Sequence, residues 1–474
     1  MTDMFDVVLV GSGFASTFFA HRYLTHRPDA KLLILERGPL KSHAEQLKRN
    51  DDYFESPATF TNRTPEKPWL FKHLVGGSSN CWTGNTPRMM PADFELRTRY
   101  GVGKDWPIKY SDLEPYYCDA EALLGVAGSR RSTPYPMSRP FPLPPHRMAD
   151  PDRALAKAYP GKFFPMPSAR PTATYEGRPP CCQSIRCVRC PIDSKFTVLN
   201  GMKAVLDHKN VEVRADSRVV GLRLQGDRLQ AVAYVDSTGK KQVVRTRRAV
   251  LGANAIFNAH LLLRSDLTAG HPGRGLAEQA GLNALVKLKG MQGFQGSTQV
   301  TGLGIPWWDG EHRKKHAGAL IECNNEPILR DLRGRFREQT LMHFAVEDLP
   351  LEKNVVLLDP KNPDQPIVEH HKISDYAKRG LDAVRKKLPE LLAPLPVESI
   401  EFTPVETEAH IQCTTPMGKS ASASVVDLNC EHHGVKGLMV LGASTFPTAS
   451  PANPTLTLCA LSLRAGDYWG KSDE

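Results

Sequence analysis

The stretch "DVVLVGSGFASTFFAHRYL" (6–24) constrains what this chain can fold into more than any other. "DVVLV" is a short apolar, β-branched run, the composition of a buried parallel strand. A glycine turn follows at once, and "TFFAHRYL" then reads as a helix. Gly11 permits the tight turn, Gly13 lets the backbone approach a pyrophosphate, and Ser16 is small enough for close packing of helix on strand. The free N–H groups and positive dipole end of such a helix suit phosphates. "KLLILERG" (31–38) is a second strand that runs into Glu36, where an acidic residue bonds the adenosine ribose hydroxyls of a dinucleotide. A glycine loop alone would be decorative. Strand, turn, helix, strand and acid in this order predict an α/β module of the Rossmann-like FAD/NAD(P)-binding type. The module by itself does not separate FAD from NAD(P).

With 474 residues the chain is too long for one simple core, so two or more packed units are expected. Many of its 38 prolines fall in 134–180 and predict a long irregular excursion. A formal charge of +10 permits acidic partners. Its basic residues are scattered, however, apart from a short run at Arg330–Arg337, and no nucleic-acid motif accompanies them. A solvated basic face is the expectation, with no nucleic-acid partner. No apolar run is long enough to span a bilayer, and the N-terminus enters a folded element without an n-region, h-region or cleavage site. A cytoplasmic chain with ten reduced cysteines is therefore expected.

Further segments carry a family resemblance. They are "HLVGGSSNCWTGNTPR" (73–88), "WPIKYSDLEPYYCDAEALLGVAG" (106–128), "RAVLGANAIFNAHLLLRS" (248–265) and "LMVLGASTFPTASPANPTLTLCALSLRAGDYW" (438–469). In this order, and over nearly the whole chain, they resemble the glucose-methanol-choline (GMC) oxidoreductases. The details "GGxSxxWTxxTPR" and "ANPTLT" are similar to sugar oxidoreductases of the pyranose oxidase type. The resemblance implies a GMC oxidoreductase fold with FAD as cofactor. It implies a discontinuous FAD-binding domain from 1–110, 200–265 and 420–474. A Pro-rich excursion with a cysteine cluster occupies 111–199, and a substrate-binding domain with an antiparallel sheet occupies 266–419. The implied cofactor contacts begin with Gly11, Gly13, Ser16, Glu36 and Arg37. Gly76, Gly77, Ser78, Asn80, Cys81, Trp82 and Thr83 follow, then Gly252 and Ala253. Val219 is placed at the adenine by resemblance, against the alternative of a plain strand valine. Gly442 and Ala443 are expected to precede a helix aimed at the cofactor, with Pro454 and Thr455 near the pyrimidine edge of the flavin. Many pyranose oxidases bond a histidine covalently to the flavin, but Cys81 stands at that position here. Noncovalent FAD is the expectation, with Cys81 packed beside the ring and a cysteinyl link as the alternative.

Coarser patterns place the rest. "NVEVRADSRVVGLRLQGDRLQAVAYVDSTGKKQVVRTRRAVLGA" (210–253) reads as an antiparallel meander broken at "QGD" and "STGKK". "ALIECN" (319–324) and "LMHFAVEDL" (341–349) read as strands, and "YAKRGLDAVRKKLPELL" (376–392) as an amphipathic helix.

Oxidising an alcohol requires a base for the hydroxyl proton and an acceptor for the hydride. "EAHIQCTTPMG" (408–418) resembles the family segment "HxxGTxRMG", which makes His410 the implied catalytic base. Cys413 and Pro416 stand where the family has glycine and arginine. "PANPTLT" supplies Asn453 at the second active-site position, where it would bond the substrate oxygen. His343, His432 and His433 read as ordinary surface or core histidines.

"RPPCCQSIRCVRCPIDSK" (178–195) crowds Cys181, Cys182, Cys187 and Cys190 together. Thiolates suit iron–sulfur clusters or zinc. By resemblance to GMC sugar dehydrogenases that pass electrons to a cytochrome, a three-iron (3Fe-4S) cluster is favoured over zinc, and plain structural thiols are the third reading. The functional expectation is an FAD-dependent oxidation of a CH–OH group of a sugar, glycoside or related alcohol. With a cluster the chain is a dehydrogenase serving an electron-acceptor protein or small subunit. Without one it is an oxidase using oxygen. A non-catalytic flavin redox sensor or binding module is the rival from another class.

Overall fold

Val7–Val10 and Leu32–Leu35 contain no polar position, so neither face tolerates water, and both strands are buried throughout. They pair in parallel, Val7 opposite Leu32. Three more parallel strands complete a sheet in the order 438–440, 249–251, 7–10, 32–35, 211–214. The computed structural model describes residues 4–48, 59–129 and 133–472. The outermost residues of the first and last segments assigned to the nucleotide unit, and 130–132 of the excursion, lie outside the described residues.

Val211–Arg214 and Ala249–Leu251 are corrections to the sequence reading. They read as the two ends of a meander, but the first pairs with Leu32–Leu35 at the edge of the parallel sheet and the second lies inside that sheet, between 7–10 and 438–440. The meander itself comprises Arg218–Gln225, Arg228–Val235 and Lys241–Arg245, turning at "QGD" where Gly226 has φ +59°. A period of two marks a strand but not its partner, which is why the pattern could not assign Val211–Arg214.

The first helix, Phe14–His26, lies against the last, Thr455–Lys471. Their approach depends on Gly466, where a Cβ would come within 2.7 Å of the Phe19 carbonyl oxygen. Trp469 meets Phe19 edge-on, with ring centroids 5.8 Å apart. The two ends of the chain are thereby packed together beside the nucleotide module.

A second, antiparallel sheet has the strand order 397–405, 280–288, 339–346, 319–324, 300–307, 163–165. Asp375–Leu391 covers it as the amphipathic helix that its pattern predicts, with Tyr376, Ala377, Val384 and Leu388 in one core with Leu282, Val286 and Phe344. Ser374 caps this helix by accepting the Ala377 N–H at 3.0 Å. Each of three central strands carries a polar residue between apolar neighbours, and the register aligns them: Asn283 opposite His343, and His343 opposite Glu322. The basic run at Arg330–Arg337 is partly neutralised, since Arg330 and Arg335 both pair with Glu398. Among the described residues, no helix is long and apolar enough to cross a membrane.

Replacing Gly466 with Val should force the two terminal helices apart. We expect a loss of about 1–3 kcal/mol in unfolding free energy, read as a lower denaturation midpoint.

Candidate active site

One large cavity opens where the strands 7–10, 32–35, 249–251 and 438–440 end, the edge at which open parallel sheets receive ligands. Its lining brings together most of the expected cofactor contacts: Gly11, Gly13, Glu36, Arg37, Gly77, Ser78, Cys81, Trp82, Thr83, Val219, Gly252, Ala253, Gly442, Ala443, Pro454 and Thr455. His410 and Asn453 line the same cavity. Val219, read equally well as a plain strand residue, is thus placed at the cavity wall.

The residues fit a dinucleotide. Gly11 has φ +86°, and a Cβ there would lie 2.8 Å from the Gly252 carbonyl oxygen. A Cβ on Gly13, in contrast, would meet nothing within 4 Å among the described residues, so this is the open side of the turn. The first turns of Phe14–His26 and Thr455–Lys471 contain no acidic residue and turn their N-terminal ends to the cavity. Glu36 accepts the Ser12 N–H at 3.0 Å, the Ser12 hydroxyl at 2.7 Å and the Gly38 N–H at 2.9 Å. Burial raises its pKa, and these hydrogen bonds oppose that rise. A carboxylate keeps further lone pairs for ribose hydroxyls. Arg37 lies 4.7 Å from the centre of the Phe257 ring, a flat surface at the same end of the cavity.

Three expected contacts stand behind the wall. Ser16 packs against Gly252, whose Cβ would come within 2.3 Å of its hydroxyl oxygen. Gly76 provides a left-handed turn at φ +90° and donates its N–H to Ser12 at 2.9 Å. Asn80 ties that turn together, donating to the carbonyls of Val75 at 3.1 Å and Gly77 at 2.8 Å. All three shape the site without lining it. Gly442 and Ala443 open a short turn ahead of the helix that reaches the cavity at Thr455.

His410 is held twice from the start of the strand 280–288. Its N–H donates to Glu278 at 2.7 Å, and its ring Nδ1 lies 3.2 Å from the Gln279 side-chain oxygen. Glu278 is itself paired with Lys67 and accepts the Thr407 hydroxyl. Burial lowers the His410 pKa, and the carboxylates of Glu408, Glu278 and Glu322 only partly counter it. The ring is therefore neutral at ordinary pH, as a base must be. Asn453 donates from Nδ2 to Glu322 at 3.0 Å, while its Oδ1 finds no partner among the described residues. An unpaired, buried amide oxygen at a cavity wall is a place for a ligand donor.

Sequence reasoning passed over His343. It is half-buried in the polar row, with Nδ1 2.9 Å from Asn283 and Nε2 2.9 Å from Glu408. Burial pushes its pKa down, but the Glu408 carboxylate outweighs this and holds it up at about 9. Glu408 lines the cavity two residues from His410, so the His343–Glu408 ion pair sits at its edge. A polar residue between apolar neighbours in each strand was the available signal. Cys413, at the family's glycine position, adopts φ +72°, which explains why glycine suits that place. His432 and His433 do not line the cavity among the described residues.

All ten cysteines are free thiols. Cys181, Cys182, Cys187 and Cys190 line a second, small cavity with Arg170 and Lys195. Cys187 and Cys190 are buried, whereas Cys182 is exposed. Among the described residues, no group of three or more His, Cys, Asp or Glu side chains is placed to hold a metal ion. In this arrangement the thiols do not offer a ready ligand set for an iron–sulfur or zinc centre. Buried Lys195 joins the two cavities by donating to the carbonyls of Trp82 and of Val188. Burial lowers its pKa to about 8.

Comparison with known proteins agrees with this geometry. Residues 350–462, which include both His410 and Asn453, match the GMC oxidoreductase C-terminal family model. The large subunit of fructose dehydrogenase from Gluconobacter japonicus is 26% identical, over 98% of this chain and 97% of that protein. A 2-methyl-1,2-propanediol dehydrogenase from Mycolicibacterium austroafricanum is 26% identical over 98% and 95%. A 6'''-hydroxyparomomycin C oxidase from Streptomyces lividus is 28% identical over 97% and 90%. In fold, the chain is similar to the crystal structure of pyridoxine 4-oxidase from Mesorbium loti, with a TM-score of 0.69 and 19% identity over 99% of this chain and 100% of that one. A dinucleotide cradle at one end of the cavity, a neutral histidine and an asparagine within it, and these similarities over most of the chain point the same way: the chain is similar to the GMC oxidoreductases, and its residues 350–462 match their family model.

Proposed function

We propose that this chain is an FAD-dependent oxidoreductase that converts a CH–OH group of a sugar, glycoside or related alcohol to a carbonyl. The observation that carries the reading is that His410, held neutral by burial, and Asn453 line the cavity whose other end is the glycine cradle. Gly11, Gly13, Glu36 and Val219 would hold the adenosine and pyrophosphate portion. Gly77 to Thr83, Gly442, Ala443, Pro454 and Thr455 would hold the flavin. FAD, when bound, supplies the hydride acceptor. The chain's own part is to take the hydroxyl proton on His410, to fix the substrate oxygen with Asn453 and to keep water from the reacting carbon. The relatives act on fructose, a propanediol and an aminoglycoside by their names, which supports an alcohol carbon flanked by polar groups.

A finer reading is that electrons leave the reduced cofactor toward a partner. The fructose dehydrogenase relative is a large subunit by name, which supports a partner subunit or acceptor protein here. Because the four thiols are not disposed as a ligand set, no step is assigned to a cluster. Ten free thiols support a reducing compartment such as the cytoplasm.

Under anaerobic conditions, sugars or vicinal diols should bleach the oxidised-flavin absorbance of the purified protein. Failure of every CH–OH donor to do so would overturn the reading. His410→Ala should lower kcat/KM by about 10²–10⁴-fold with FAD still bound. The pH dependence follows from the lowered His410 pKa. The neutral ring is the active form, so kcat/KM should rise with pH through a limb below about pH 6.5. Stoichiometric iron and acid-labile sulfide in anaerobically purified protein would mark a dehydrogenase. Flavin bands without iron would mark an oxygen-using oxidase with structural thiols.

A further inference from the structure

We infer that Gln279 is a positioning residue that sets the tautomer of His410, leaving Nε2 as the proton-accepting atom. The inference rests on the reading of His410 as base and adds to it which nitrogen does the work and what selects it.

The side-chain amide of Gln279 has only one orientation that its surroundings accept. Its nitrogen lies 2.8 Å from the carbonyl oxygen of Ser450 and 2.9 Å from that of Ala452. Carbonyl oxygens only accept, so both of these positions demand the amide NH₂. The amide oxygen must then face the other way, where it meets Gln412 Nε2 at 3.1 Å and His410 Nδ1 at 3.2 Å. An amide oxygen also only accepts. His410 Nδ1 must therefore carry a hydrogen, and in the neutral ring Nε2 keeps the lone pair. A two-fold ambiguity in the imidazole is thus resolved by two backbone carbonyls that never touch it.

Those carbonyls come from the loop that also carries Asn453. That loop is fixed in turn, since the Ser450 hydroxyl donates to buried Asp93 at 2.8 Å and Asp93 pairs with buried Arg313 at 2.8 Å. Gln279 consequently links the two active-site side chains. A shift of the Asn453 loop would release the amide and with it the His410 tautomer. When His410 takes the substrate proton, the Nδ1–H···O bond remains and steadies the imidazolium. The other groups facing His410 are Glu408 on its own segment, Glu278 beside Gln279, Glu322 on the strand 319–324 and His343 on the strand 339–346. Lys67 neutralises Glu278. These set the overall pKa, but none is a ring partner of Nδ1, so none selects the tautomer.

The test compares Gln279→Leu with Gln279→Glu in the FAD-loaded protein. Leucine removes the acceptor, so we expect kcat to fall by about 10–100-fold with little change in KM. The acid limb of kcat/KM should move to lower pH, because the imidazolium loses a hydrogen bond. Glutamate still presents an oxygen to Nδ1, although its second oxygen faces the carbonyls of Ser450 and Ala452, so it should hold the limb at or above the wild-type position whatever kcat it retains. Equal losses in both variants with an unmoved limb would reduce Gln279 to a packing residue and overturn the inference, as would a leucine variant with wild-type kcat. If leucine prevents folding, ¹⁵N-histidine spectra of the unsubstituted protein decide the matter, with His410→Gln identifying the signal. A proton on Nδ1 supports the inference, and one on Nε2 overturns it. Should His410→Ala retain its rate, the base assignment itself fails, whatever tautomer is found.

Discussion

The close approach of bare backbone at the ends of four parallel strands is the constraint on which this structure depends. A pyrophosphate can reach main-chain N–H groups only where side chains are absent. A Cβ on Gly11 would collide with the Gly252 carbonyl and one on Gly252 with the Ser16 hydroxyl, whereas Gly13 leaves its own side open. Ser16 and the 76–80 turn buttress this arrangement from behind. The terminal helices, brought together at Gly466, place two N-terminal dipole ends at the same cavity. Helices far apart in the sequence, 14–26 and 455–471, thus serve one cavity.

The chemistry at the other end comes from a balance between desolvation and charge. His410 and His343 are both largely withdrawn from solvent, yet they are driven in opposite directions. His343 has Glu408 in direct contact and remains cationic. His410 makes its ring contact to a neutral amide and remains uncharged. Two histidines a short distance apart in the network thus take different roles because one has a carboxylate partner and the other an amide. The neutral one is the one that lines the cavity.

Much of this was legible in the residues themselves. The glycine turn, both central strands, the covering helix and the cavity placement of His410 and Asn453 follow from local pattern or from family motifs that occur as continuous strings. What escaped was pairing. Val211–Arg214 has the alternation of a half-exposed strand wherever it is placed, and only its neighbour Leu32–Leu35 decides that it is parallel. Gly76 and Asn80 belong to a cofactor motif, but a motif does not tell which members face the ligand and which hold the loop. His343 looked ordinary because its importance lies in Asn283 and Glu408, sixty or more residues away in either direction.

Sequence alone determined the class of fold, the type of cofactor site and the residue types available for proton transfer, because each depends on short-range patterns: a turn that only glycine allows, a strand with no polar face, a histidine in a recognisable string. The tertiary structure decided which of those residues share a cavity, which histidine is charged and which imidazole nitrogen bears the hydrogen. Those outcomes depend on burial and on partners distant in the chain, such as Gln279 between His410 and the carbonyls of Ser450 and Ala452, and no local pattern encodes them.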